Sequence, residues 1–588
     1  MRRLSFIIYH LSFSVALLVS VALVAFTACS SSEDSIADAP TPSTPDAPKT
    51  YNMTVTASKG DDATTRALTP DGNALNATWA AGEEVKVFKV TVENPGTSSE
   101  MESITLVGTL TAQSSGATTT LSGPFDEGYT PAEGDVLRLK FNPDPDYSDQ
   151  EGTLDYIATH CDYALAEISI ASVDASGNVT ASGTAEFENQ QAIVKFSLKE
   201  PDGTTPLAVT SLTVKAGSKT YNVTPTTAAS DIYVAVTKAT NRAVQLTAIS
   251  ADADSYTYSK SGVTFTQGQY YAIGVKMTAD HPYTTTIDLS TLSDDYTVPD
   301  YTILTGTLSG GHKISIADGA TVKLKDVTIP GGGNLDDSTP WAGITCLGNA
   351  TIRLSGTNSV KGYNRYYSGI QPGDAGTTLT IEGSGTLTAT NGGGDYDMFG
   401  AGIGGGKGQE VGNIEIKGGE ITANGAGSGI GCGKYGICGN ITISGGTISA
   451  TSSNSCAGIG SGTGEKDTPS HCGNITISGG KVTARGGEKG AGIGSGFGTA
   501  GYSYCGNITI TGGTITATGG SRLQSSIYAY GAGIGGGSNG KCGDITISGT
   551  ATGTATGGTG CTYDIGPGYN GPCGTVSVAS GTISGSHP

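Results

Sequence analysis

The chain has 588 residues, of which 92 are glycine and only 14% are charged. Its 32 Lys and Arg residues against 52 Asp and Glu give a formal net charge of −20, which argues against sequence-independent nucleic-acid binding, because that needs a basic surface. The glycines follow no three-residue period, which excludes collagen. Abundant Thr, Ser, Ile and Val with few helix formers predict an all-β chain.

Residues 1–28 are typical of a secretion signal. Arg2 and Arg3 precede a long apolar run that ends in small residues, which is the pattern of a cleaved signal peptide. The alternative is an uncleaved membrane helix, because the run is nearly long enough to span a bilayer. The Thr-Ala-Cys end resembles a bacterial lipoprotein signal, which implies that Cys29 carries lipid and anchors the chain in the outer membrane.

Residues 29–50 follow as a predicted disordered linker. The acidic stretch SSSED directly after Cys29 resembles a tag that sends lipoproteins to the cell surface. Four prolines among small polar residues in 37–50 cannot build a core, so this segment holds the rest of the chain away from the membrane. We therefore expect a surface-exposed outer-membrane lipoprotein.

The region 51–283 shows short alternating apolar runs separated by Gly, Pro and Asp turns. This pattern predicts antiparallel β-sandwiches, which we place at 51–187 and 188–283. Long helical periodicity is absent from both segments.

Five motifs in this region resemble fimbrillin-family surface lipoproteins of Bacteroidota. They are residues 64–67 (TTRA), 79–85 (WAAGEEV), 155–158 (DYIA), 191–196 (QAIVKF) and 265–271 (FTQGQYY). The resemblance implies two transthyretin-like sandwiches and other fimbrial subunits as partners. It also implies Arg66 as a candidate for cleavage by an arginine-specific protease, the alternative being a surface arginine near a strand end.

The segment 284–588 is dominated by an internal repeat, C-G-N-I-T-I-x-G-G-x-I-T-A followed by A-G-I-G. Nine copies can be aligned on their first inward apolar residue: Val322, Ile352, Leu379, Ile414, Ile441, Ile475, Ile508, Ile545 and Val576. Three short strands in each copy predict one turn of a parallel β-helix, so we expect about nine stacked rungs. A propeller blade needs about 40 residues, and several copies are too short for it.

Two rows of polar residues recur in this repeat. The cysteine row is Cys438, Cys472, Cys505, Cys542 and Cys573, and the amide row is Asn413, Asn440, Asn474 and Asn507 with Asp544. A metal or redox ladder is one interpretation of the cysteines, but zinc sites use short paired spacings. We favour structural stacking with a mostly reduced row, because in-register side chains point the same way. Cys432 with Cys438 is the first pair to test.

No arrangement of catalytic residues stands out in this region. Residues 401–588 contain eight acidic side chains that do not repeat on neighbouring copies, whereas glycan hydrolysis needs paired carboxylates. We therefore predict a protein that is not an enzyme and holds neither cofactor nor metal.

Binding through the variable loops is more plausible, since rigid scaffolds often present contacts on loops. Aromatic faces beside polar groups suit sugar rings, and the ligand-binding candidates are Trp341, Tyr363, Arg365, Tyr366 and Tyr367. The alternative is that these side chains cover loop backbone and pack on the helix.

The leading hypothesis is an adhesin, or a tip-like subunit of a fimbria, that binds a host or microbial glycan or a surface protein. As the resemblance implies, shaft subunits join through their C-terminal strand, and a β-helix placed there should block further growth. A polysaccharide-binding or polysaccharide-degrading lipoprotein and a structural surface spacer are the alternatives.

Overall fold

The computed structural model describes residues 49–59, 69–71, 74–96, 101–332, 340–393, 399–524 and 527–588. The chain divides into two units, 1–50 and 51–588, and only Lys49 and Thr50 of the first unit are described. The predictions for the signal peptide, Cys29, the linker up to residue 48 and Arg66 therefore lie outside the described residues.

The first domain is a β-sheet that closes on itself. Its strands are Asn52–Ser58, Glu84–Glu93, Met101–Ala112, Thr118–Pro124, Val136–Phe141, Ala164–Val173, Asn178–Ala181, Ala185–Glu186 and Glu188–Asn189, with a small hairpin of Thr69–Asp71 and Ala74–Asn76. Closure occurs because the strand Asn178–Ala181 pairs with the first strand on one side and with Ala164–Val173 on the other. Alternate residues point inward around Trp79, which is fully buried and packs edge-on against Phe141 and Phe187.

The second domain is a two-sheet sandwich. One sheet contains Gln191–Lys199, Asp231–Thr237 and Tyr270–Lys276, and the other contains Asp149–Gln150, Val209–Ala216, Lys219–Val223, Ala239–Ser250, Ser255–Phe265 and Thr278–Ala279. The strand Asp149–Gln150 comes from an earlier part of the chain, and Gln150 exchanges two hydrogen bonds with the backbone of Ala235. A short helix, Leu154–Tyr156, continues into a wider turn, Ile157–Cys161.

The C-terminal region is a parallel β-helix with three main faces. The first face contains Thr285–Asp288, Thr302–Thr307, Ala320–Ile329, Ala350–Ser355, Thr378–Gly383, Asn413–Ile416, Ile441–Ile443, Ile475–Ile477, Ile508–Ile510, Ile545–Ile547 and Val576–Val578. The second contains Thr357–Lys361, Thr386–Thr390, Glu420–Gly425, Thr447–Ser452, Lys481–Arg485, Thr514–Thr518, Thr552–Thr556 and Ile583–Ser584. The third contains Tyr296–Val298, Ile314–Ile316, Ile344–Cys346, Ile370–Gln371, Ile403–Gly404, Ile430–Gly431, Ile459–Gly460, Ile493–Gly494, Ile534–Gly535 and Ile565–Gly566.

Smaller elements complete the β-helix. A corner row of strands contains Glu410–Val411, Ile437–Cys438, Ser470–Cys472, Ser503–Cys505 and Lys541–Cys542. Two short 3₁₀ turns are Leu289–Thr291 and Thr499–Gly501, and a small hairpin joins Ser521–Gln524 to Ile527–Tyr530. The predicted all-β chain, with sandwich-like sheets before a parallel β-helix, is confirmed.

The register of the first rungs differs from the sequence alignment. The sequence alignment places Ile352 opposite Leu379, but Ile352 pairs with Ile381, and Leu379 pairs with Ile414. The copies at Val322 and Ile352 are therefore two residues out of register with the later ones. A shift of two keeps the same residues inward, because side chains alternate with a period of two. Two strands, Thr285–Asp288 and Thr302–Thr307, also stack before the first recognised copy.

One glycine row makes close stacking on the third face possible. Gly404, Gly431, Gly460, Gly494 and Gly535 all have φ between +131° and +138°. A Cβ at each would overlap the carbonyl oxygen of the glycine on the next rung. Glycine is needed here both for the positive φ and for the close approach of the backbones.

The amide row connects neighbouring rungs. The side-chain oxygen of one member accepts a hydrogen bond from the backbone N–H of the next. For example, the Asn474 N–H donates to Oδ1 of Asn440 at 2.8 Å, and the Asn507 N–H donates to Oδ1 of Asn474 at 2.9 Å. These contacts give the amide row an architectural role, because each one connects a rung to the next.

The cysteine row is more oxidised than the sequence led us to expect. Cys432 is bonded to Cys438 and Cys542 to Cys573, whereas Cys472 and Cys505 are free and buried. The prediction of a mostly reduced row is wrong for three of its five members. Neighbouring rungs bring Cys542 and Cys573 to a Cα separation of 4.5 Å, which is within bonding range despite their parallel orientation.

A polar interface joins the second domain to the β-helix. Asp254 lies in the turn after Ala239–Ser250 and accepts hydrogen bonds from Lys323 and Arg353 on the first face. Arg353 also donates to Glu382 at 2.8 Å. These contacts orient the β-helix relative to the sandwich that precedes it.

Candidate functional site

One of the predicted ligand-binding residues is buried, and a second, partly buried, packs beside it. Tyr363 is 3% exposed, its hydroxyl donates to the carbonyl of Gly310 at 3.2 Å, and burial raises its pKa to about 12. Trp341 is partly buried and packs against the same core, with its ring 6.0 Å from that of Tyr363. These two side chains support the loop from below.

Arg365 and Tyr366 are half-buried and reach a surface cluster that the sequence analysis did not recognise as a unit. We call it the loop cluster, and its members are Arg365, Tyr366, Phe399, Lys407, Lys434 and Tyr435. Tyr367 is also half-buried, beside the cluster in sequence. Tyr366 and Phe399 form its base, with parallel rings whose centroids are 5.8 Å apart, and Phe399 is buried at 7% exposure.

The cations of the loop cluster lie over its aromatic rings. The Lys407 ammonium is 4.8 Å from the centre of the Tyr366 ring and 5.0 Å from that of Phe399. Lys434 lies 4.5 Å from the Phe399 ring and 4.6 Å from that of Tyr435, and the Arg365 guanidinium lies 4.7 Å from Tyr366. Each contact of this kind contributes about 0.5–1 kcal/mol at an exposed site.

Backbone hydrogen bonds between successive loops hold the cluster in place. The Lys407 N–H donates to the Tyr366 carbonyl at 2.8 Å, and the Lys434 N–H donates to the Phe399 carbonyl at 2.9 Å. The Tyr435 N–H donates to the carbonyl of Thr463 on the following rung. The cluster is therefore built on the rungs themselves and needs little ordering to bind.

The electrostatics of the loop cluster contrast with the acidic chain around it. Three cations lie close together, and one carboxylate, that of Glu465, accepts from the Tyr435 hydroxyl at 2.7 Å and lies 4.0 Å from Lys434. Burial raises the pKa of Tyr435, while the nearby Lys434 opposes this rise and Glu465 adds to it. Aromatic faces beside positive charge can bind sugar rings that carry acidic groups.

The sequence contained a signal for this cluster. Lys407 and Lys434 both lie four residues after the Gly-Ile marker of their repeat, at Ile403 and Ile430. Equal offsets on neighbouring rungs place side chains above one another. The aromatic partner Phe399 lies before the marker, and no spacing rule predicted its contact with Tyr366.

A groove runs along the second face where its strands end. One section has a volume of about 460 Å³ and extends from Lys361 to Ser453, and the next has about 580 Å³ and extends from Thr451 to Thr559. The two sections share Thr451 and Ser453, so the groove continues over several rungs. Its walls are mostly Gly, Thr, Ser and Asn, with Arg485 and Glu488 in the second section.

Outward side chains on the corner row form a third surface feature. Ile437, His471, Tyr504 and Lys541 occupy the same position on successive rungs. The His471 and Tyr504 rings stack at 4.9 Å, and burial lowers the pKa of His471. Ile437 and Tyr504 are each 37% exposed.

Within the described ranges, no three or more His, Cys, Asp or Glu side chains come together in a group that could hold a metal ion. No helix among the described residues is both long and apolar enough to cross a membrane.

The fold defines an all-β protein that ends in a parallel β-helix, and the comparisons agree with that class. A family model described as a β-helix repeat matches residues 379–407, 414–434, 441–463, 475–497 and 508–538. A search of curated proteins returns no match.

Among solved structures, the tip fimbrial protein Mfa3 from Porphyromonas gingivalis, with a C-terminal truncation, is 9% identical, with 39% of this chain and 96% of that chain covered and a TM-score of 0.23. A fimbrial assembly protein from Parabacteroides distasonis is 13% identical, with 39% and 99% covered and a TM-score of 0.22. A candidate cell adhesion protein from Bacteroides uniformis is 13% identical, with 39% and 95% covered and a TM-score of 0.23. All three neighbours are described as fimbrial or cell adhesion proteins.

Proposed function

We propose that this protein is a surface-anchored adhesin, or a terminal subunit of a fimbria, whose β-helix binds glycan without catalysing a reaction. The loop cluster is the observation that carries the proposal. It stacks half-buried Tyr366 on buried Phe399 and places Lys407, Lys434 and Arg365 as donors over these rings.

The cluster also suggests which glycans bind. Aromatic rings pack on the apolar face of a sugar, and the ammonium and guanidinium groups form charge-assisted hydrogen bonds with carboxylate or sulfate substituents. Trp341 and Tyr363 position the loop in this proposal, while Arg365, Tyr366 and Tyr367 remain on the binding side. The ligand class is therefore an acidic glycan.

The rest of the chain supplies the position at the cell surface in this proposal. Lipid on Cys29 anchors the chain in the outer membrane, and the linker 29–50 extends it outward. The sandwich domains serve as a stalk and as the contact with other fimbrial subunits. The β-helix follows the sandwiches in the chain, which suits a subunit at the end of a fibre.

A glycan array tests this proposal. The purified full chain should bind acidic glycans, and a Lys407→Ala/Lys434→Ala variant should lose at least tenfold in apparent affinity, since two charge-assisted contacts contribute about 1.5–3 kcal/mol each. Lys417→Ala is the matched control, because Lys417 is an exposed lysine of the same β-helix that pairs only with Glu415 among the described ion pairs. Equal binding by wild type and double variant would reject the loop cluster as the site.

The groove favours a second function, binding of an extended polysaccharide. Rungs repeat every ~4.8 Å along a β-helix, so hydroxyl and backbone groups recur along a chain laid in the groove. Arg485→Ala should then weaken binding of long but not short oligosaccharides. If Arg485→Ala binds long and short oligosaccharides with the same relative affinities as wild type, the loop cluster stays the preferred site.

A further inference from the structure

Lys59, directly after the strand Asn52–Ser58, is a buried lysine. Its side chain is only 1% exposed. The ammonium lies 3.2 Å from Oδ2 of Asp162 and 4.0 Å from Oε2 of Glu83. The rings of Trp79 and Phe141 cover it, at 4.5 and 3.2 Å from their centres.

This arrangement encloses one cation with two carboxyl groups in an apolar pocket. The side chains of Glu83 and Asp162 are 8% and 3% exposed, so the three groups have lost nearly all of their hydration. A charged group buried away from water is costly, and the amide that an amine and a carboxyl group form together carries no charge. A neutral lysine amine is a nucleophile.

Both carboxyl groups are held in fixed positions. Oδ1 of Asp162 accepts a hydrogen bond from the Gln191 side-chain amide at 3.1 Å. The backbone carbonyl of Asp162 accepts one from the Asn142 side chain at 2.9 Å. Oε2 of Glu83 accepts from the Ala80 N–H at 3.1 Å. A nucleophile and a carbonyl carbon held at contact distance react as if at very high concentration.

We propose that Lys59 and Asp162 condense into an intramolecular amide bond, with Glu83 carrying the proton. The Lys59 ammonium first gives one proton to Oδ2 of Asp162, and the resulting amine attacks Cγ of Asp162 and forms the N–C bond. Glu83 accepts a second proton from the nitrogen and returns it to the same departing oxygen of Asp162, which leaves as water when its bond to Cγ breaks. An ammonium and a carboxylate are consumed, one amide and one water are produced, and neither oxidant nor metal is required.

The bond would fasten the first strand of the chain to its domain. Lys59 directly follows the strand Asn52–Ser58. Asp162 lies 103 residues later in the chain, just before the strand Ala164–Val173. Tension applied at the N-terminus would then pass from Lys59 directly to Asp162 and bypass the chain between them. Arg66 follows Lys59 in sequence, so a cut there would leave the strand covalently attached. This inference is independent of the loop cluster.

Intact mass spectrometry of the purified full chain, after reduction of its disulfides, tests the bond directly. The expected mass is one water lower than that of the processed sequence, and digestion should release a branched peptide joining Lys59 to Asp162. A full-mass chain with no branched peptide after prolonged incubation would overturn the proposal.

Two variants test the roles of Lys59 and Glu83 separately. Lys59→Arg should have the full mass and release no branched peptide. Glu83→Gln should fold, as checked by circular dichroism, but condense at least tenfold more slowly, since general acid–base groups contribute about 10²–10⁴-fold. Condensation at the wild-type rate in folded Glu83→Gln would overturn the role given to Glu83.

Discussion

Arg353 on the first face of the β-helix donates to Asp254 of the second sandwich domain at 3.1 Å. Lys323, one rung earlier, shares the same carboxylate. Both basic side chains are largely buried, at 17% and 10% exposure. The β-helix therefore contacts the sandwich through ion pairs that are largely shielded from water. Such an interface can transmit force from the β-helix to the sandwich.

Removing Arg353 should weaken this interface. Breaking a buried ion pair costs about 3–5 kcal/mol, and the residual exposure here reduces the expected loss to about 2 kcal/mol for Arg353→Ala. Urea unfolding followed by fluorescence should show the β-helix and sandwich transitions separating. Lys417→Ala, which removes an exposed pair, should change the free energy of unfolding by less than about 0.5 kcal/mol. Equal effects of both variants would contradict the account.

The glycine row on the third face should tolerate no side chain. In Gly460→Ala the new methyl would overlap the carbonyl of Gly494, at a φ of +132°, so we expect a loss of more than about 4 kcal/mol or failure to fold. Gly274→Ala is the control, because its Cβ would meet nothing within 4 Å. Thermal unfolding of both variants measures the difference, and similar melting temperatures would show that the rungs can move apart.

Acid should destabilise the β-helix partly through His471. Burial lowers the pKa of this imidazole below its ordinary value, so the unfolded chain takes up its proton more readily than the folded chain. Stability is unaffected above the unfolded pKa and falls as pH drops through it toward the lower folded pKa. The fall in melting temperature between pH 7.5 and 5 should be larger in wild type than in His471→Gln. An identical fall in both would remove His471 from the explanation.

The disulfide at the last rungs should matter more than the free thiols before it. Cys542–Cys573 closes 31 residues, and the chain-entropy model gives roughly 3–4 kcal/mol for a loop of that length. Replacing both cysteines by serine should lower the free energy of unfolding by about that amount. The pair Cys472→Ser/Cys505→Ser, also on adjacent rungs, is the matched control and should cost less, because those thiols are free.

The repeat could be predicted because it imposes the same local chemistry many times. Ile-Thr-Ile and Gly-Ile-Gly specify inward side chains and tight corners in every copy, so strand type and stacking followed from the sequence. The register at Ile352 did not, because a shift of two residues leaves the inward pattern unchanged.

The candidate site was only partly predictable. Aromatic residues in the loops were found, but composition does not say which are buried, and Tyr363 enters the core while Tyr366 is only half-buried. Lys59 gave no local signal at all. Its partner Asp162 is 103 residues away, and only the closed sheet brings them together.

A cell-adhesion assay shows directly whether the loop cluster attaches this protein to a glycan surface. Cells displaying the full chain, and cells displaying Lys407→Ala/Lys434→Ala at an equal level measured by antibody, would be counted on surfaces coated with an acidic glycan. We expect firm attachment by wild type and loss of most attachment by the variant, with binding that weakens as salt increases. Equal attachment by both would contradict the assignment of adhesion to the loop cluster.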